Sequence, residues 1–344
     1  MQTLMQQEAL QSAEVVAQIL ASDGASYGQW AQQVLAYQPA QVVTVARGSS
    51  DHAAGYIAGL LTLLTGKVVA SLPMSHVSLY QAKLDVKNTL AIAVSQSGRS
   101  PDLLATMQSL QTLGAMTTAL VNDPASPLAT TTQWTFSLQA GAERSVAATK
   151  SFIASLVVGA RLVGSWEQAS HGTSALMEAL ETLPEALAAA SRVDWSAALD
   201  VFRYADRAMV LGRGLGLSIA QEAALKLKET SCLQAEAFSG AEVVHGPMAL
   251  VEADYPLLVF ALPGPALVGQ LALAQDMRRR GARVVLVGCA GDAPVDVLLP
   301  PITHHALGPL VAIQAFYLFA NALALARGLN PDTPKHLKKV TLTV

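Results

Sequence analysis

The chain has 344 residues, 52% of them hydrophobic and only 14% charged, which excludes a disordered polypeptide and allows for two domains of ~150 residues each. Its 22 Lys and Arg against 25 Asp and Glu give a formal net charge of −3, so there is no electrostatic case for nucleic acid or an anionic membrane as partner. Two cysteines, Cys232 and Cys289, provide neither a disulfide framework nor a zinc-ligand spacing, and a reducing cytoplasm is the expected setting.

The first twenty residues carry Glu8 and Glu14 and no Lys or Arg, the reverse of an export signal. Leu4, Ala9, Leu10, Val16, Ile19 and Leu20 predict an amphipathic opening helix within a helical segment over residues 1–35. Val42-Val43-Thr44-Val45-Ala46-Arg47-Gly48 reads as a strand ending in Arg-Gly, followed by a helix through Leu64. A second strand, Leu90 to Val94, ends in Ser95-Gln96-Ser97-Gly98, and a helix begins near Pro101-Asp102. Gly114 precedes another apolar run, and a stretch rich in Ala, Glu and Leu, about 172–196, reads as a linker.

The design then repeats. Ala208-Met209-Val210-Leu211-Gly212-Arg213-Gly214 precedes a helix through Glu229, a strand from Leu257 to Leu262 ends in Pro263-Gly264, and Gly281 precedes Val284-Val285-Leu286-Val287. The three glycine landmarks recur at offsets of 166, 166 and 167 residues, which predicts a duplicated domain. Residues 306–326 carry no charge, but Gly308, Pro309, Gln314 and Asn321 interrupt them, so a helix buried in a core or subunit interface is expected rather than a membrane span. Asn330-Pro331-Asp332-Thr333-Pro334 stops that helix, and an extended tail should follow.

Short, continuously apolar strands alternating with helices are buried on both faces, as in parallel sheets covered by helices. The expected class is therefore α/β, with two tandem doubly wound parallel-sheet domains at 36–172 and 197–330 and a tail at 331–344. A ligand of such a sheet lies beyond the carboxyl ends of its strands, where Gly48, Gly98 and Gly214 fall.

Ser95, Ser97 and Ser100 offer three hydroxyls and Gln96 an amide just before a helix, a composition suited to a phosphate cradle or to an ordinary polar turn with a cap. No Walker lysine accompanies them, which argues against nucleoside triphosphate hydrolysis. Glu222, Lys226 and Glu229, four and three residues apart, share one helix face and read either as a solvated salt-bridge stripe or as a catalytic carboxylate with its neighbours. His245-Gly246-Pro247 fixes an imidazole on a loop, where acid/base residues often sit. Lys338 and Lys339 fit a solvated tail or an amine that forms a Schiff base with a carbonyl substrate.

Together, Ser95-Gln96-Ser97-Gly98, Ala224-Leu225-Lys226-Leu227-Lys228-Glu229, His245-Gly246-Pro247 and the lysine-bearing tail resemble the sugar isomerase (SIS) family. The resemblance runs from about Val42 to the C-terminus, and it is specifically to the isomerase half of glucosamine-6-phosphate synthase and to stand-alone SIS-type glucosamine-6-phosphate deaminases. It implies flavodoxin-like domains in which Ser95, Gln96, Ser97 and Ser100, joined by Ser50, hold a sugar phosphate. It implies further substrate contacts from Val146, Lys226 and Lys338. It also implies that Glu229 moves a proton between C1 and C2, that His245 assists ring opening across the subunit boundary of a homodimer with shared active sites, and that Lys339 forms an imine with the ketose. No metal or organic cofactor is implied.

Three positions depart from the synthase pattern: Arg99 stands for an acidic residue, Val244 for a basic one and Ala148 for a serine. The chain begins Met-Gln-Thr and has no cysteine before Cys232, so glutamine-independent chemistry is expected. The implied reaction converts glucosamine 6-phosphate to fructose 6-phosphate and ammonia. The alternatives are a deglycase of phosphorylated sugar–amino-acid adducts, a galactosamine-6-phosphate deaminase, or a non-catalytic phosphosugar sensor. Sensors of this kind usually carry a DNA-binding domain, and only about forty residues with no basic cluster precede the first strand.

Overall fold

A computed structural model describes residues 2–22, 24–289 and 294–339. In chain order these form α1 (Leu4–Leu10), α2 (Ser12–Ala21), α3 (Ala25–Tyr37), β1 (Gln41–Val45), α4 (Ser49–Thr65), β2 (Val69–Ser71), α5 (Met74–Ser78), β3 (Thr89–Ser95), α6 (Pro101–Thr112), β4 (Met116–Val121), α7 (Pro127–Thr131) and β5 (Trp134–Ser137). There follow α8 (Lys150–His171), α9 (Ala175–Leu180), α10 (Leu183–Ala190), α11 (Ser196–Phe202), β6 (Arg207–Gly212), α12 (Leu215–Ser231), β7 (Gln234–Ser239), β8 (Pro256–Ala261), α13 (Leu267–Arg279), β9 (Arg283–Cys289), β10 (Val297–Leu299) and α14 (Gly308–Ala326).

The described residues fall into two compact units. The first comprises Glu14–Glu143 with Ser151–Glu181, and the second comprises residues 2–13 with Arg144–Lys150 and Thr182–Lys339. The single opening helix expected from the apolar spacing is two helices. It breaks at Gln11, whose amide is shared among the carbonyls of Gln7, Glu8 and Ala9 in a tightened last turn. The stretch read as a linker is also helical: α9 belongs to the first unit and α10 to the second.

In the first unit five parallel strands run in the order β2-β1-β3-β4-β5. β3 and β4 are buried at every position, which is why Thr-Leu-Ala-Ile-Ala-Val-Ser and Met-Thr-Thr-Ala-Leu-Val show no polar alternation. The threonines are tolerated because they are partnered. Thr118 Oγ accepts from the buried Trp30 indole N–H at 2.9 Å, and Thr117 exchanges two hydrogen bonds with Gln133.

The second unit has the same topology. Its five parallel strands run β10-β9-β8-β6-β7, so reading from β7 the order is again 2-1-3-4-5. The duplication extends to backbone angles. Gly48 after β1 (φ 59°, ψ −135°) and Gly214 after β6 (φ 57°, ψ −129°) both precede a 17-residue helix in a conformation only glycine adopts readily. In each sheet the strand order reverses beside the first strand of the unit, the switch point at which ligands of such sheets bind.

Residues His305–Ala326 are long and apolar enough to cross a membrane, but 78% of the segment's apolar 18-residue window is buried. α14 is the unit's core helix, packed by α1, α10, α11 and α12. Trp195 stacks on Phe319 at 4.8 Å, and Gln314 donates to the carbonyl of Ala9 and to Ser191 Oγ, both at 2.8 Å. The glutamine that interrupts the apolar run thus serves packing within the unit.

Candidate active site

The first unit presents the Ser95–Ser100 loop at its switch point. Ser95, buried at the end of β3, accepts from the Gly98 N–H at 3.0 Å and still has its own hydroxyl proton to donate. Gly98 has φ +62°, and a Cβ there would lie 2.3 Å from Ser126 Oγ, so this tight loop requires glycine. Ser97 accepts from the Arg99 N–H at 3.4 Å, and Ser100, the N-cap of α6, makes no side-chain capping bond. Gln96, Ser97 and Ser100 are half-buried, as is Ser50 in the first turn of α4.

Two arginines frame this end of the sheet. Arg47 pairs with the buried Asp102 in the first turn of α6. Arg99, the residue that departs from the synthase pattern, reaches Asp123 at 2.7 Å; this hydrogen bond and one from the Ala125 N–H hold the Asp123 carboxyl below the usual range.

In the second unit the charged face of α12 is not a solvated stripe. Lys226 is 1% exposed, with Nζ 3.2 Å from Glu222 Oε1 and 2.6 Å from Glu229 Oε2. Glu222 is fully buried and also accepts from the Tyr317 hydroxyl of α14 at 3.2 Å. Burial alone would pull the Lys226 pKa down, but the two carboxylates outweigh it and hold the ammonium above the usual lysine range. One sealed cation therefore serves two anions, and only Glu229, with a fifth of its side chain exposed, reaches solvent.

The remaining predicted residues of this unit lie on irregular backbone. His245 ends a one-turn 3-10 helix, Val243–His245, and is exposed while Val243 is buried beneath it. Val146 is half-buried and donates its N–H to the carbonyl of Asp332 at 3.2 Å. Beyond the buried Pro331 and Pro334, Lys338 is exposed and Lys339 half-buried; the tail residues 340–344 lie outside the described residues. Ser50 and the Ser95–Ser100 loop thus belong to the first unit, and Val146, Lys226, Glu229, His245, Lys338 and Lys339 to the second. Helix periodicity pointed to the Glu222–Lys226–Glu229 cluster but not to Tyr317, which meets Glu222 from a helix 95 residues away in sequence.

The profile of the SIS domain matches twice, at residues 35–163 and 202–326. The chain belongs to the SIS domain family. This SIS chain is 31% identical over 312 residues to a glutamine–fructose-6-phosphate aminotransferase (isomerizing) of Thermus thermophilus, an alignment that covers 87% of the chain and 51% of that relative. The chain spans about half the length of the curated relatives it matches. Among solved structures, a candidate phosphosugar isomerase of Silicibacter pomeroyi superposes with a TM-score of 0.88 at 39% identity, covering 96% of this chain and all of that one. The glucosamine-6-phosphate deaminase of Thermotoga maritima shares the fold, with a TM-score of 0.77 at 20% identity over 99% of this chain and 100% of its own.

Proposed function

We propose that this SIS protein is a phosphosugar isomerase of the deaminating kind, converting glucosamine 6-phosphate and water to fructose 6-phosphate and ammonia without glutamine. The observation that carries the reading is Glu229, a carboxylate paired to a sealed ammonium yet open to solvent on one side. Such a group is fixed in place and can still exchange a proton with a ligand. In the proposed sequence His245 helps to open the pyranose and expose the C1 aldehyde. Glu229 takes the acidified C2 proton and returns it at C1, leaving an imine at C2. Water adds to that carbon and ammonia leaves, directly or after exchange onto the Lys339 amine. Ser50 and the Ser95–Ser100 loop take the phosphate.

The test is a coupled ammonia assay across aminosugar phosphates and phosphorylated sugar–lysine adducts, with and without glutamine. Glucosamine 6-phosphate should release ammonia in the absence of glutamine. Activity on adducts alone would transfer the assignment to a deglycase, and turnover of no phosphosugar would leave a binding protein. In the loop, Ser97→Ala removes one hydroxyl donor to a dianion, worth ~1.5–3 kcal/mol. A rise in KM of about tenfold or more is expected, with kcat little changed. Unphosphorylated glucosamine turning over as well as its phosphate would refute the cradle.

A further inference from the structure

We propose that helix α1 braces the active site: through Asp332 and Glu8 it fixes both the 144–150 segment and the root of the tail, and so sets the position of Lys339. The effect on turnover rests on the function proposed above; the brace itself does not.

The contacts that build it all lie within the second unit. The two carboxylate oxygens of Asp332 accept from consecutive backbone amides of α1, Leu4 at 2.8 Å and Met5 at 2.7 Å. The carbonyl of the same residue accepts from Val146 at 3.2 Å, and its own amide donates to Asn330 Oδ1 at 3.0 Å. One turn further along α1, the Glu8 carboxylate accepts from the amides of Arg144 and, at 3.2 Å, Ser145. Gln11, at the end of α1, accepts from Lys150 Nζ at 2.8 Å. Both ends of the 144–150 segment are thus tied to α1 directly, and its middle is tied through Asp332.

The helix is in turn fastened to the core. Thr3 bonds the Asn321 side chain and Ala9 accepts from Gln314, both of α14. Seven residues are too few for an autonomous helix, so α1 exists because it is held in this way. Both carboxylate contacts are charge-assisted, the stronger class of hydrogen bond. Asp332 is flanked by the buried prolines Pro331 and Pro334, whose fixed φ limits the directions the chain can take from the anchor. Lys339 lies only seven residues beyond it. An amine that must meet a carbonyl carbon loses rate steeply when misplaced by an ångström, which makes Asp332 and Glu8 positioning residues for the imine step.

The test uses the full chain carrying Asp332→Ala, Asp332→Asn or Glu8→Gln. It reads amide hydrogen exchange at residues 2–13, 144–150 and 331–339, borohydride trapping of fructose 6-phosphate on Lys339, and kinetics with glucosamine 6-phosphate. Asp332→Ala should speed exchange at Leu4, Met5 and residues 331–339 by tenfold or more. Trapping and kcat should fall by a similar factor while KM stays within twofold. Asp332→Asn, which retains one acceptor, should be intermediate, and it and Glu8→Gln decide the matter if the alanine chain fails to fold. Unchanged exchange in every folded variant overturns the brace. Faster exchange with undiminished trapping and kcat overturns its positioning role. If the parent chain turns over no phosphosugar, the deaminase reading fails on its own, and Asp332-dependent exchange still upholds or overturns the brace.

Discussion

Glu229→Gln should abolish ammonia release from glucosamine 6-phosphate while leaving phosphosugar binding within about twofold. The amide keeps the shape and can still accept from Lys226 Nζ, which lies 2.6 Å from the present carboxylate, so α12 should remain intact. What it loses is the base, and a positioned general base is typically worth ~10²–10⁴ in rate. The diagnostic measurement is exchange of the C2 proton with deuterated water, followed by NMR, because it isolates the step assigned to Glu229 from nitrogen release. Exchange and ammonia release should stop together. If exchange continues at the parent rate, another group moves the proton, and Glu229 is reduced to a partner of Lys226. A Lys339→Ala chain makes the complementary measurement: C2 exchange should persist while the nitrogen-releasing step slows.

The fold was legible because its signals are local and repeated. Arg47-Gly48 and Arg213-Gly214 end equivalent strands, and the structure gives both glycines nearly the same backbone angles. Continuous apolar runs could be read as buried parallel strands because both faces of β3 and β4 meet packed side chains. The break at Gln11 was not legible, since a tightened turn at an ordinary residue leaves the 3.6-residue apolar rhythm nearly unaltered. The helical nature of residues 175–190 was within reach, since Ala, Glu and Leu are strong helix formers; what the sequence did not show is that α10 packs on α14.

At the candidate site the same division holds. Spacing placed Glu222, Lys226 and Glu229 on one face, but it could not distinguish a solvated stripe from a sealed cluster, because burial depends on α14 and its Tyr317. Likewise Ser95 reads as a phosphate ligand by composition, whereas the structure also uses its oxygen to close the loop onto Gly98. Asp332, between two prolines, looked only like a helix stop; its contacts with Leu4 and Met5 join residues 328 and 327 positions apart, a pairing no sequence period encodes.

The largest expected loss of stability is at Lys226. Removing one member of a buried ion pair typically costs ~3–5 kcal/mol, because the partner charge is left without compensation. Here the loss would take the ammonium away from the fully buried Glu222 and would also remove the hydrogen bond to Glu229. Lys226→Met keeps most of the side-chain volume, so a fall of about that size in urea unfolding at neutral pH would report charge rather than a cavity. The pH dependence has a defined sign. In the parent the folded ammonium has a raised pKa, so its contribution is fully present below the ordinary lysine value of ~10.4 and is lost only as pH climbs through the folded value. Adding Glu222→Gln should recover much of the loss at neutral pH, since the neutral amide can still accept from the Tyr317 hydroxyl. A Lys226→Met chain as stable as the parent at neutral pH would mean that the cation is dispensable to the fold. Glu229 would then need some other group to hold it in place.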